Sequence, residues 1–259
     1  MDVQQSPAVT GPDRSRIGVE VVLVLGLSLG QSAVYSVLRI IERLTRAVPL
    51  SAQTSTLNAS ATPDRPWLDL AYQLAGIGFA LVPVLLVLYL LTLTDGPAGR
   101  LIGLDLRRPG RDLATGALIA AGIGIPGLGL YLGARALGLN TDVQASGLTG
   151  AWWTVPVLVL SAFQNAALEE VVMIGFLITR FRQLGWRLWA AVGVSALIRG
   201  SYHLYQGFGG FVGNLVMGVL FGLFYLRWER VAPLVVAHTL LDVVAFVGYA
   251  LVAPHVTWL

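Results

Sequence analysis

The sequence contains no cysteine and no lysine, and it is poor in charge. The absence of cysteine excludes disulfide bonds, thiolate metal ligands and a cysteine nucleophile. Charged residues make up 12% of the 259 residues, whereas about a quarter is usual in a soluble domain. Hydrophobic residues make up 56%, and the mean hydropathy is +0.73. This composition predicts a protein whose solvent is the lipid bilayer.

All 17 basic residues are arginine, and the formal net charge is +3. The arginines are scattered between apolar stretches, which is not the pattern of a nucleic-acid-binding surface, so no nucleic-acid partner is expected. Arginine without lysine is typical of a GC-rich genome. We therefore predict a multi-pass protein of a bacterial plasma membrane.

Seven apolar segments are candidates for membrane-spanning helices, since about 20 helical residues cross the hydrocarbon layer. They cover residues 17–38, 67–94, 113–137, 151–181, 188–204, 207–226 and 232–253. The pattern predicts an all-α, polytopic transmembrane bundle of about seven helices, with a tight turn between the fifth and the sixth. The expected organisation is a cytoplasmic tail (1–16), three N-terminal membrane helices (17–137) with an extracytoplasmic loop (43–66), and a C-terminal helical core (151–253).

Most arginines outside the apolar segments lie in alternate connections. They are Arg14 and Arg16, then Arg100, Arg107, Arg108 and Arg111, then Arg180, Arg182 and Arg187, and finally Arg227 and Arg230. Because positive charge is retained on the cytoplasmic side, the N-terminus is predicted inside and the C-terminus outside. The first loop departs from this pattern with Arg46 and Arg65. Its part at 48–65 is rich in Ser, Thr, Asn and Pro and is predicted to be disordered.

A few ionisable residues interrupt the predicted helices, where a charge costs a few kcal/mol and is therefore a functional hypothesis. They are Glu169 and Glu170 near the middle of the fourth helix, Arg199 and His203 on the fifth, and His238 and Asp242 on the seventh. The latter two pairs are spaced i, i+4, so each pair shares one helical face. The structural alternative is a buried ion pair between Arg199 and a carboxylate that fixes the order of the helices. Asn165 and Asn214 are interpreted as packing amides.

Two chemistries suit these residue types. In the first, Glu169 activates a water molecule as general base, His203 shares that water or holds the carboxylate, and His238 with Asp242 stabilises an oxyanion. In the second, Glu169, His203 and His238 bind zinc as a catalytic set with an open position. The spacing does not decide between them, and the H-E-x-x-H signature of zinc proteases is missing.

Three short motifs resemble the CPBP family of intramembrane proteases, which includes CAAX prenyl endopeptidases and bacterial Abi proteins. The family pattern reads E-E-x-x-x-R, then F-x-x-x-H, then H-x-x-x-N or a similar residue. Here the matching segments are Glu169-Glu170-Val171-Val172-Met173-Ile174, Arg199-Gly200-Ser201-Tyr202-His203 and His238-Thr239-Leu240-Leu241-Asp242. The resemblance covers about residues 151–247.

This resemblance implies an endopeptidase that hydrolyses a peptide bond of a membrane-associated peptide or protein. It implies Glu169 as the water-activating base, His203 as its partner and His238 with Asp242 as the oxyanion-stabilising pair, and it leaves open whether a divalent metal takes part. The other functions considered are a non-catalytic protein of the same fold that acts in bacteriocin self-immunity, and a proton-coupled transporter. No inverted repeat relates the two halves, which disfavours the transporter.

Two positions depart from the family pattern. Ile174 stands where the pattern has arginine, and Arg199 stands where it has phenylalanine. We therefore expect Arg199 to supply the missing guanidinium and to pair with Glu170 from another helix. Counted from the helix ends, Glu169 lies mid-membrane, His203 near the outer face and His238 about 10 Å from the inner face. Their convergence requires tilted helices or different helix boundaries, with a seventh helix that starts before Ala232 or a partly re-entrant fifth helix.

Overall fold

The computed structural model describes residues 11–148 and 150–255, and helices dominate it. The helices are α1 (Gly11–Gly26), α2 (Leu29–Leu44), α3 (Pro66–Ala80), α4 (Val82–Asp95), α5 (Ala98–Leu101), α6 (Pro109–Ala136), α7 (Thr154–Glu169), α8 (Leu177–Gln183), α9 (Leu188–His203), α10 (Phe208–Trp228) and α11 (Ala232–Val252). A π-helical segment, Glu170–Phe176, joins α7 to α8 without a break. The predicted all-α class is confirmed. Residues 1–10 of the predicted N-terminal tail lie outside the described residues.

Five continuous helical stretches in the described part of the chain are long and apolar enough to cross a membrane. They are Pro66–Asp95, Pro109–Ala136, Thr154–Gln183, Phe208–Trp228 and Ala232–Val252. A sixth arises if α1 and α2, which are bent by 50° at their junction, form one broken span. The remaining predicted segment is α9, whose 16 residues extend about 24 Å, short of the hydrocarbon thickness of about 30 Å. Residues 11–148 and 150–255 thus contain five or six candidate membrane spans, against the expected number of about seven.

The central element of the bundle is the stretch Thr154–Gln183. In its most apolar window 72% of the residues are buried, compared with 11% to 33% in the other four stretches. A helix that is covered on all sides must be apolar on all sides, and its π-helical part meets this condition with Val172, Ile174 and Phe176 fully buried. The acidic pair lies on this central stretch and is therefore held inside protein.

Helices α9 and α10 pack backbone to backbone through glycines of α10. A Cβ atom at Gly218 would lie 2.9 Å from Cα of Ala196, and one at Gly222 would lie 2.7 Å from Cγ1 of Val192. Small residues at such spacing let membrane helices approach closely. This contact holds the middle of α9, and with it Arg199, against the centre of the bundle.

The first loop is ordered, so the prediction of disorder at 48–65 is wrong. Strand β1 (Thr54–Thr56) pairs in parallel with β2 (Asp142–Gln144), and Ser55 accepts a hydrogen bond from Thr141 at 2.8 Å. Asp69 at the start of α3 accepts hydrogen bonds from Ser60 at 2.7 Å and from the amide of Ala61 at 2.8 Å. The partners of β1 are distant along the chain, and loop composition does not reveal them.

The N-terminal helices pack directly onto the C-terminal four. Ser36 of α2 accepts a hydrogen bond at 2.7 Å from the amide of Tyr205, in the tight turn Leu204–Gln206 that follows α9. At the opposite end, Arg230 beside α11 donates to Asp112 of α6. The tight turn predicted between the fifth and sixth segments is thus present. Helix α2 packs against this turn at the end of α9.

Candidate active site

Glu169 and Glu170 differ in exposure although they are neighbours. Glu169 is the last residue of α7, and Glu170 is the first of the π-helical segment. Such segments are rare and are frequently found at functional sites. Successive helical residues point about 100° apart, and here the Glu170 side chain is fully buried while that of Glu169 is 11% exposed. Glu169 is therefore the more exposed of the two carboxylates.

Arg199 of α9 joins the two carboxylates. Its Nη1 and Nη2 donate to the two oxygens of Glu170 at 3.2 Å and 2.5 Å, and Nη2 also donates to Oε2 of Glu169 at 3.2 Å. The guanidinium lies 5.2 Å from the centre of the Phe221 ring, within range of a cation–π contact. The structure thus contains the Arg199–Glu170 pair proposed from the sequence, in the two-pronged geometry at which arginine is strongest.

Ile174 shows why the cation has to come from another helix. Its side chain is fully buried within the apolar core of the central stretch. A position of this kind supplies no counter-charge to Glu170, and a buried carboxylate without one is strongly destabilising. Arg199 provides that charge across the interface between α9 and the central stretch.

His238 of α11 is the third member of the cluster. Its Nδ1 lies 2.7 Å from Oε1 of Glu170 and 3.1 Å from Nη2 of Arg199. A carboxylate only accepts and a guanidinium only donates, so Nδ1 either donates to Glu170 or accepts from Arg199. Nε2 points towards Asp242, with 3.7 Å to Oδ1, longer than a hydrogen bond. The contact through Nδ1 fixes the ring and leaves Nε2 on the side of Asp242.

Asp242 lies at the edge of the cluster, with 20% of its side chain exposed. Its Oδ2 is 3.4 Å from Nδ2 of Asn165, one turn before Glu169. Asn165, interpreted from the sequence as a packing amide, therefore orients a residue of the candidate site.

Tyr202 was missed by the sequence analysis. Its hydroxyl donates to Oε2 of Glu169 at 2.7 Å, and the side chain is buried. The available signal was its spacing: Tyr202 follows Arg199 by three residues and so lies on the same face of α9. An aromatic residue in an apolar helix is usually a packing residue, and this spacing was not used.

His203 stays apart from the acidic pair. Its Nδ1 lies 3.1 Å from the carbonyl oxygen of Arg199 on its own helix, and its ring tilts against that of Tyr202 with 4.7 Å between centres. Across the described ranges no hydrogen bond joins His203 to Glu169 or His238. Counting along the helices had placed His203 at a different depth from Glu169 and His238. The structure agrees, because the residue of α9 that contacts both is Arg199, one turn deeper than His203.

The donor atoms do not fit a divalent metal ion in this arrangement. Ligand atoms of Glu169, Glu170 and His238 lie within 4.8 Å of one another. The point that they share is taken by Nη2 of Arg199, at 3.2 Å, 2.5 Å and 3.1 Å respectively. A metal ion there would meet a fixed positive charge at contact distance. The set predicted for zinc, with His203 in place of Glu170, is not the set that the structure groups.

A groove lies beside the cluster on the side of α2, and Tyr202 is the residue that both share. Its volume is about 350 Å³, and it is lined by Gln31, Ser32, Tyr35, Ser36, Arg39, Tyr202 and Tyr205. We call it the Tyr202 groove, because Tyr202 both lines it and bonds to Glu169. The polar lining, set among membrane helices, can hydrogen-bond the amide groups of an extended peptide.

The acidic pair, Arg199 and His238 form a buried polar cluster that apolar helices enclose. This arrangement is typical of a site that lies within the membrane. Residues 151–244 match the family described as type II CAAX prenyl endopeptidase Rce1-like. The match contains every residue of the cluster, confirms the resemblance to the CPBP family for these helices, and supports a CAAX-type intramembrane protease fold for them. Searches among curated proteins and among solved structures gave no match.

Proposed function

We propose that this protein is an intramembrane endopeptidase that hydrolyses a peptide bond of a membrane-associated substrate, with Glu169 as general base. The observation that supports this role is the environment of Glu169. Tyr202 and Arg199 both donate to Oε2, while the side chain remains 11% exposed. Oε1 accepts no hydrogen bond within the described residues and is not among the buried unpaired atoms. One oxygen is therefore anchored, and the other is available to a reactant.

In the proposed reaction, Oε1 of Glu169 takes a proton from a water molecule whose oxygen attacks the substrate carbonyl carbon. The carbonyl π bond opens to an oxyanion, and the C–N bond then breaks as Glu169 returns the proton to the leaving amine. Arg199 and Tyr202 hold the carboxylate in one orientation through both proton transfers. Preorganisation of this kind avoids rearrangement at the moment of reaction.

His238 is proposed to stabilise the oxyanion. Its ring is fixed through Nδ1 by the buried Glu170, so a proton on Nε2 would face the exposed side near Asp242, where charge develops in the tetrahedral intermediate. Asp242 is proposed to orient the Nε2 proton of His238. His203, which lies on the same face of α9 as Arg199, is proposed to hold the substrate. In this scheme Glu170 is a positioning residue for both His238 and Arg199.

The substrate is proposed to be a membrane-anchored peptide or protein, and a prenylated C-terminal peptide is the first class to test, because the matched family is named for that reaction. We further propose that residues 151–253 form the catalytic core and that residues 17–137 support it, with α2 closing the Tyr202 groove. The several apolar helices make this a multi-pass membrane protein. A bacterial plasma membrane with the N-terminus inside is the proposed location.

The test is a cleavage assay with the purified chain in lipid nanodiscs. The panel comprises prenylated C-terminal peptides, unprenylated versions and transmembrane peptides, with products read by mass spectrometry. Glu169→Gln should abolish cleavage while keeping the thermal unfolding of the parent. Glu42→Gln is the control, since Glu42 is an exposed carboxylate on α2. Undiminished cleavage by Glu169→Gln removes Glu169 as the base, and no cleavage by the parent across the whole panel contradicts the peptidase.

A further inference from the structure

A second cavity lies far from the candidate active site, where α5 and the loop after it meet the turn between α10 and α11. Its volume is about 290 Å³. The residues that give it its character are Arg100, Arg107, Arg108 and Arg230, with Trp228 and Glu229 at the edge. Four guanidinium groups around one cavity are a strong positive field. We call this cavity the arginine cavity.

Two carboxylates, Asp105 and Asp112, neutralise part of this positive charge. Arg230 donates through Nε and Nη2 to the two oxygens of Asp112, at 2.9 Å and 2.5 Å, and Asp105 lies 3.2 Å from Arg230 and 2.6 Å from Arg107. The carboxylates hold the floor of the cavity rigid. At the edge, Glu229 pairs with Arg182, outside the cavity, at 3.2 Å.

Arg100 and Arg108 remain uncompensated. Both are exposed, and neither guanidinium group has a hydrogen bond or an ion pair with any residue that the structure describes. Two free guanidinium groups above a floor of fixed ion pairs form a concave site for an anion. Guanidinium groups match the geometry of phosphate oxygens, which they bind in pairs of hydrogen bonds.

The residues around the arginine cavity indicate what kind of molecule supplies the anion. Trp228, at the end of α10, is 55% exposed, and exposed tryptophan at the end of a membrane helix is typical of the headgroup region. Leu106 and Leu101 beside the cavity are 89% and 36% exposed. Apolar side chains next to a basic cavity suit a ligand that has a phosphate and acyl chains.

We propose that the arginine cavity binds the phosphate-containing headgroup of an anionic phospholipid. The lipid belongs to the leaflet on the arginine-rich side of the membrane, which the charge pattern predicts to be cytoplasmic. Arg100 and Arg108 contact the headgroup, Arg230 provides the fixed floor, and Trp228 packs against the glycerol region. This site is independent of the proposed peptidase activity, and failure of either proposal leaves the other standing.

The test uses the full chain in a neutral detergent and native mass spectrometry of lipid adducts during titration. The probes are phosphatidylglycerol, phosphatidylcholine and inorganic phosphate. The parent should retain phosphatidylglycerol in preference to phosphatidylcholine, and inorganic phosphate should not displace it. The double variant Arg100→Gln with Arg108→Gln should bind phosphatidylglycerol about 30-fold more weakly, since each basic residue near an anionic membrane surface contributes about one factor of five.

Arg111→Gln is the matched control, because Arg111 is an exposed arginine close by in sequence that does not line the cavity. It should change the affinity less than twofold. Equal affinity for phosphatidylglycerol and phosphatidylcholine, or equal losses in the double variant and in Arg111→Gln, overturns the proposal. Displacement by inorganic phosphate overturns the lipid as ligand and shows a simple anion site. Thermal unfolding of each variant without lipid verifies that it is folded.

Discussion

Nη2 of Arg199 and Oε1 of Glu170 lie 2.5 Å apart inside the bundle, and neither side chain is exposed. The two residues come from different helices, so their charges connect α9 to the central stretch. Removal of Arg199 would leave Glu170 buried without its guanidinium partner, and the free-energy cost of that is larger than the net contribution of the pair. The same guanidinium also reaches Glu169 and His238, so this ion pair holds the candidate active site together.

Arg199→Gln should lower the free energy of unfolding by about 3–5 kcal/mol, because it removes the guanidinium that pairs with the fully buried Glu170 and also with Glu169. Arg199→Lys should recover part of that loss, since it restores the charge but not the two-pronged geometry. The measurement is reversible unfolding in mixed micelles. The control is Arg135→Gln, whose ion pair with Asp142 is about one-third exposed on both sides and should contribute less than about 1 kcal/mol. Equal losses for the two glutamine variants would contradict the assignment of Arg199.

Tyr202→Phe should reduce kcat about tenfold and leave KM nearly unchanged. The change removes one of the two hydrogen bonds to Oε2 of Glu169, and a hydrogen bond to a charged group contributes about 1.5–3 kcal/mol. Steady-state kinetics on whichever peptide the parent cleaves give both constants. Tyr225→Phe is the control, because that buried tyrosine contacts Thr179 and no residue of the acidic pair. A rise in KM at constant kcat would instead make Tyr202 a substrate-binding residue of the groove.

The apolar segments and the costly residues within them could be predicted from the sequence. Glu169, Glu170, Arg199 and His238 were found because a charge in an apolar helix requires a reason, and the structure places them in contact. The Arg199–Glu170 contact was expected from the family pattern, because Ile174 stands where that pattern has arginine.

Other features depend on information that is not local. Tyr202 resembles any aromatic packing residue until its hydroxyl is seen to meet Glu169. The expected role of His203 rested on the motif, whereas its position depends on where α9 ends. The π-helical segment leaves no trace in the apolar pattern, because every residue from Glu170 to Phe176 is buried. The order of the first loop comes from pairing between β1 and β2, more than eighty residues apart.

The Asp105 cluster should make stability depend on pH. The hydrogen bond from Arg107, with further help from Arg230, holds the pKa of Asp105 far below its usual value. A carboxylate with a depressed folded-state pKa contributes stability above its unfolded-state pKa, about 3.9, and loses that contribution as the pH falls further. Asp105→Asn should therefore show a smaller drop in Tm between pH 7 and pH 3 than the parent does. Asp64→Asn, at an exposed loop position, should behave like the parent, and a parent-like drop in Asp105→Asn would contradict the prediction.

The contact between α9 and α10 makes a prediction about activity through packing alone. A methyl group at Gly218 would lie 2.9 Å from Cα of Ala196 and 3.1 Å from Cδ of Arg199. Backbone cannot yield as a flexible side chain can, so α9 and α10 have to move apart. Gly218→Ala should therefore destabilise the protein by about 1–3 kcal/mol and reduce cleavage, because the guanidinium that anchors Glu169 moves with α9.

Gly193→Ala is the matched control on α9 itself. No atom lies within 4 Å of a Cβ built at that glycine, so the added methyl group meets no neighbour and should stabilise the helix by roughly 0.5–1 kcal/mol. Unfolding free energies and cleavage rates for the two alanine variants decide the matter. If Gly218→Ala is as active and as stable as Gly193→Ala, close approach of α9 and α10 is not what positions Arg199 against the acidic pair.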